Sequence, residues 1–172
     1  SDLFKKPREL MENIMNVTSF LRNKIIQNGG DPDRETLNVI RTVDGDNYLV
    51  DEDGDYWRTY IFIEDATCFD IVEKPEDFYN SALSFGNFQR LLADYPAATL
   101  HETIPNFHNT VSRFADFTRA VEEDVMKRAS GVQEEIRFVL DREPDTHVIC
   151  DALAKGRLPL RVTHNDTKLN NI

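Results

Sequence analysis

The stretch "THNDTKLNNI", residues 163–172, carries a histidine, a carboxylate two residues on and an amide five residues after that. His164, Asp166 and Asn171 thus form the pattern H-x-D-x-x-x-x-N, directly behind the apolar run "LPLRV". These residue types suit the transfer of a charged group to a hydroxyl. Asp166 can accept the hydroxyl proton. Asn171 offers a neutral oxygen that can return to the same cleft and coordinate Mg²⁺, a hard cation that prefers oxygen ligands. His164 can hold the loop by hydrogen bonding. A plainer reading stays open beside this one, in which Asn165 or Asp166 is the N-cap of a helix.

Other clusters are less specific. "DGDNYLVDEDGDYW" alternates carboxylates at Asp51, Asp53 and Asp55, but its Gly54 sits between the last two, where a calcium loop needs it after them. Two acidic hairpin turns account for the stretch. His101 and His108 lie in a loop without paired ligand spacing and read as loop or core histidines, and His147 reads as a helix-surface residue. Cys68 and Cys150 share no short spacing and are expected as free thiols or small buried residues. Neither stands in the C/S-x-P-x-R context that a sulfatase needs, and no serine does either.

The elements that must position the motif follow from periodicity. "KKPRELMENIMNVTSFLRNKIIQNGG" predicts a helix over 7–28, with Leu10, Ile14, Val17, Leu21 and Ile25 on one stripe, Pro7 in the first turn and Asn28-Gly29-Gly30 as the stop. Strands are expected in "TLNVIRTV", "NYLVD" and "DYWRTYIFIE", separated by Asp44-Gly45 and Asp53-Gly54, and together they read as an antiparallel meander. Helices are expected in "PEDFYNSALSFGNFQRLLADYP", with Phe78, Ala82, Phe85, Phe88 and Leu92 on one face, and in "TVSRFADFTRAVEEDVMKRA", "VQEEIRFVLDRE" and "THVICDALAKG". "LPLRVTH" reads as a short buried strand delivering the motif. The seam is expected at "EDATCFDIVEKPED".

With 172 residues and a formal charge of −11, the chain can form one core or two small lobes, and it is a poor partner for nucleic acid or an anionic membrane. Any anion it binds must be held by a local device, a metal ion or a few placed bases. No apolar run approaches a membrane span and no signal peptide opens the chain, so a cytoplasmic protein is expected.

The motif His164–Asn171 resembles the catalytic loop of the aminoglycoside phosphotransferase and choline kinase superfamily, which shares the protein-kinase fold. "ETLNVI", "DYWRTYIFIEDA", "ADYPAATLHETIPNFHNT" and "LPLRVTHNDTKLNN" are similar to the N-acetylhexosamine 1-kinases over nearly the whole chain. The resemblance implies an α+β, protein-kinase-like fold: residues 1–65 as an N-lobe remnant with an αC-like helix and meander, and 66–172 as a helical C-lobe. It implies Mg²⁺ and ATP as cofactors, Asp166 as base, Asn171 as metal ligand, and Lys168 near the γ-phosphate. It also implies adenine contact by the backbone of Glu64, Asp65 and Ala66, with Glu9 or Glu12 as the αC carboxylate and Asn13 close by. The substrate it implies is the anomeric hydroxyl of GlcNAc or GalNAc. A Gly-rich loop, a strand Lys and a second metal carboxylate are missing. The chain is therefore expected to be an internal piece of a kinase and inactive alone, the alternative being a non-catalytic binding or regulatory fragment.

Overall fold

Pro7 opens helix α1 (Pro7–Gln27), where its missing N–H costs nothing and its fixed φ suits the first turn. Glu9 near the start and Lys24 near the end complement the helix dipole. The stop is the expected one. Gly29 takes φ 74°, a conformation cheap only for glycine, and the Gly30 N–H returns to the Ile25 carbonyl at 2.9 Å. The computed structural model describes residues 6–66, 71–72 and 74–167.

After α1 comes one short turn of helix, α2 (Pro32–Glu35), capped by the Asp31 carboxylate on the Asp33 N–H at 2.9 Å. Four two-residue strands follow: β1 (Val39–Ile40), β2 (Leu49–Val50), β3 (Tyr56–Trp57) and β4 (Thr59–Tyr60). All pairing among them is antiparallel, but it is not that of a meander. β2 pairs with β3, while β1 skips over this hairpin to pair with β4. The cause is that residues 56–60 serve both partners, the first half facing Leu49–Val50 and the second half facing Val39–Ile40.

Asp51 organises the β2–β3 turn. Its Oδ1 accepts from the N–H groups of Asp55 (2.8 Å) and Asp53 (3.1 Å), and its Oδ2 from the Trp57 indole at 2.6 Å. Gly54 supplies the φ of 85° that closes the turn. The carboxylate-rich stretch is therefore a hairpin device.

Helix α3 (Pro75–Leu91) buries its C-terminal end against α1. Leu21, Ile25, Leu91, Leu92 and Tyr95 form the core, with Val17, Phe20, Phe88, Leu100 and Val162 packed around it. Phe20 and Tyr95 meet edge to face at 5.2 Å. The face expected on α3 fades toward its start, where Phe78 and Ala82 are exposed.

Two further corrections concern the later chain. The helix expected over 110–129 ends earlier: α4 spans Thr110–Glu123, and Asp124 turns left-handed at φ 33°. The Asp124 carboxylate then takes the N–H groups of Arg128 (2.8 Å) and Ala129 (3.1 Å), which a continuing helix would have pointed at carbonyls. The segment expected as a buried strand, 158–164, forms no strand, and Leu158 and Leu160 are exposed. No described strand pairs with it. Arg161 instead donates to the Ala93 carbonyl, and Val162 packs on the core cluster.

Contacts divide the chain into two compact units, Ser1–Thr103 with Arg161–Ile172, and Ile104–Leu160. The second holds α4, α5 (Gln133–Leu140) and α6 (Glu143–Ala154). There Asn109 caps α4 through the Ser112 N–H, and the Thr110 hydroxyl donates to the Thr146 carbonyl of α6 at 2.5 Å. Cys150 is a free thiol beside Thr110 and Asn109, and Cys68 lies outside the described residues. No described helix is long and apolar enough to cross a membrane.

Candidate functional site

The motif loop leaves the core at Val162 and turns at Asn165, whose φ of 66° is one that Asn tolerates better than most side chains. The Thr163 hydroxyl donates to Asn165 Oδ1 at 2.5 Å and stiffens that turn. On its near side, the His164 ring stands edge-on to Phe85 (5.2 Å, 70°) and Phe88 (6.1 Å, 80°), two α3 residues one turn apart. Aromatic packing thus holds the His164 ring against α3. On the far side of the turn Asp166 is exposed. Lys168 and Asn171 lie outside the described residues.

Residues 64–66 belong to another arm of the same unit. The Glu64 carbonyl accepts from Arg34 Nη1 at 2.7 Å, Asp65 sits at φ 57°, and both are exposed with Ala66. The Glu64 carbonyl keeps one lone pair beyond the one that Arg34 uses. Arg34 belongs to α2 whereas His164 rests on α3, so the expected adenine segment and the expected catalytic loop are tied to different helices.

Of the α1 carboxylates, Glu9 pairs with Lys6 at 2.8 Å and Glu12 with His101 Nε2 at 2.6 Å. Asn13 takes both backbone groups of His101. Its Oδ1 accepts from the N–H at 2.9 Å and its Nδ2 donates to the carbonyl at 2.8 Å. Here the sequence reading missed a structural clasp: Asn13 stands in for a strand partner, and His101 is the residue it holds. His108 stacks edge-on to its neighbour Phe107.

A hollow of about 350 Å³ opens between α1 and β1 near Arg22. Arg22 Nη1 is already committed there to Asp33 Oδ1 at 2.8 Å and Asn38 Oδ1 at 2.7 Å. Among the described residues, no three His, Cys, Asp or Glu side chains converge on a metal-sized site. No family model matches the chain.

Proposed function

We propose that this chain is the core of an ATP-dependent phosphotransferase acting on a sugar hydroxyl, with the anomeric hydroxyl of an N-acetylhexosamine such as GlcNAc or GalNAc as the preferred acceptor. The observation that carries this reading is the motif turn. His164 is anchored on Phe85 and Phe88, Asn165 bends the chain, and Asp166 lies exposed beyond the bend. That arrangement suits a base on a rigid loop, where positioning provides most of the rate.

In this reading Asp166 would accept the acceptor hydroxyl's proton as the hydroxyl oxygen attacks the terminal phosphorus of ATP, whose bond to the bridging oxygen breaks so that ADP leaves. Lys168 offsets charge on the migrating group, and Asn171 offers the amide oxygen that a hard divalent cation takes. His164 holds the loop. The backbone of Glu64, Asp65 and Ala66 receives the base of the nucleotide. Mg²⁺ bound with ATP would neutralise the phosphates that an acidic chain otherwise repels.

A second reading, a non-catalytic binding or regulatory fragment, is favoured by two contacts. Glu64 and Glu12, which the catalytic reading wants facing ligands or a strand lysine, are engaged by Arg34 and His101. The deciding experiment is ADP release with Mg·ATP and GlcNAc or GalNAc, run on the gene's full open reading frame and on residues 1–172. Acceptor-dependent turnover in the full frame, lost in Asp166→Asn, supports the kinase. Nucleotide binding without turnover in either supports the second reading.

A further inference from the structure

Beside the motif turn, in the same compact unit, a groove of about 460 Å³ runs between the end of α3 and residues 161–163. Its apolar side is made by Leu92 and Val162, both tied to the core, and its polar side by Gln89, Arg90, Arg161 and Thr163. Among the described residues, no carboxylate lines it. That is notable in a chain with 31 acidic and 20 basic side chains.

The two arginines are held in place by neutral groups. Arg90 Nε and Nη2 donate to Asn87 Oδ1 at 3.2 and 2.8 Å, and Arg161 Nη1 donates to the Ala93 carbonyl. Neither forms an ion pair with a described carboxylate. A guanidinium has five N–H donors, so each arginine keeps donors to spare after these bonds, and each keeps its full charge. Anchoring by neutral acceptors removes much of the rotamer entropy that a ligand would otherwise have to overcome.

The geometry points to a binding site for a small phosphate-bearing molecule. Two guanidinium charges match the dianion of a phosphate monoester, and their forked donors match its oxygens. The volume lies in the range of small-ligand sites, and Leu92 with Val162 offers an apolar wall to whatever carries the phosphate. Binding in this groove does not depend on whether the chain transfers a phosphoryl group.

The test is calorimetry on the whole chain at low ionic strength, with inorganic phosphate, a hexose phosphate and acetate as separate titrants. Phosphate and the hexose phosphate are expected to bind and acetate to bind far more weakly. Arg90→Gln and Arg161→Gln should each weaken phosphate binding about tenfold. Arg137→Gln, on α5 in the other unit, should change nothing. Arg161→Lys guards against a folding defect, since it keeps a donor for Ala93 and the charge but loses the fork, and Arg90→Gln removes only two bonds within one helix. Binding that survives in Arg90→Gln and Arg161→Lys, equal losses in Arg137→Gln, acetate binding as tightly as phosphate, or no heat from phosphate at millimolar concentration would each overturn the assignment.

Discussion

Replacing Asn13 by alanine removes both bonds that this side chain makes to the His101 backbone, at 2.9 and 2.8 Å. Each neutral hydrogen bond contributes about 0.5–1.5 kcal/mol net. His101 is exposed, so water replaces part of the loss and the lower half of that range applies. The pair together is then worth about 1–2 kcal/mol, a factor of roughly 5–30 in a local opening equilibrium. Amide hydrogen exchange at His101 reads that equilibrium directly, because its N–H is the one held by Asn13 Oδ1. Protection of this amide should fall by that factor in Asn13→Ala. Glu12→Gln removes the charge from the Glu12–His101 contact but leaves the two Asn13 bonds, and its effect should be smaller, since exposed ion pairs contribute only about 0–1 kcal/mol. Unchanged His101 protection in Asn13→Ala would refute the clasp.

The remaining expectations are briefer. The Asp51 carboxyl is held below the usual carboxylate range, first by the Trp57 indole N–H and then by the Asp55 backbone N–H. Its support of the β2–β3 hairpin is therefore complete above the ordinary Asp range and is lost as pH falls through the depressed value. Trp57 is the sole tryptophan, so its fluorescence should report an acid transition that Asp51→Asn abolishes; a transition unaltered by that substitution would sink the link. Leu92→Ala, at a site 1% exposed in the core cluster, should cost about 2–5 kcal/mol in denaturant unfolding, and a loss under 1 kcal/mol would mean that the core lies elsewhere. Under the proposed phosphotransferase reading, Asp166→Asn should lower kcat by ~10²–10⁴ with ATP affinity unchanged, and near-normal turnover would remove Asp166 from its proposed role. Asn171→Ala should shift the Mg²⁺ activation curve to higher concentration; an identical curve would end its assignment as a ligand.

Helix α1 was legible because three independent local signals agree: a 3.6-residue stripe from Leu10 to Ile25, Pro7 at the start and two glycines at the end. The acidic turns were legible for a similar reason, since the spacing of Asp51 and Gly54 is local chemistry. What escaped was decided by distant partners. "LPLRV" has the composition of a strand, yet a strand is defined by the neighbour it pairs with, and the nearest groups offered to this one are the Ala93 carbonyl and the core around Leu92. The β1–β4 pairing skips a whole hairpin and leaves no trace in composition. Asp124 was readable as one more polar helix position, because its capture of two later N–H groups depends on a backbone turn that only the folded chain displays. For the motif, residue types and spacing were visible, but its anchor on Phe85 and Phe88 lies about eighty residues away in sequence and no local pattern announces it.

The discontinuous make-up of the first unit sets an order of events during synthesis. Residues 104–160 form a contiguous unit, so α4, α5 and α6 can fold as soon as they leave the ribosome. The first unit cannot be completed then. Its α1–α3 core waits, with the Ala93 carbonyl uncovered and the side of the cluster that Val162 covers still open, until residues 161 onward have emerged. The motif turn is thus among the last parts of the described chain to be made, and its arrival closes the core. A nascent chain halted before Arg161 would expose an unfinished hydrophobic surface, the kind of surface that chaperones hold, while the unit made after it could already be folded.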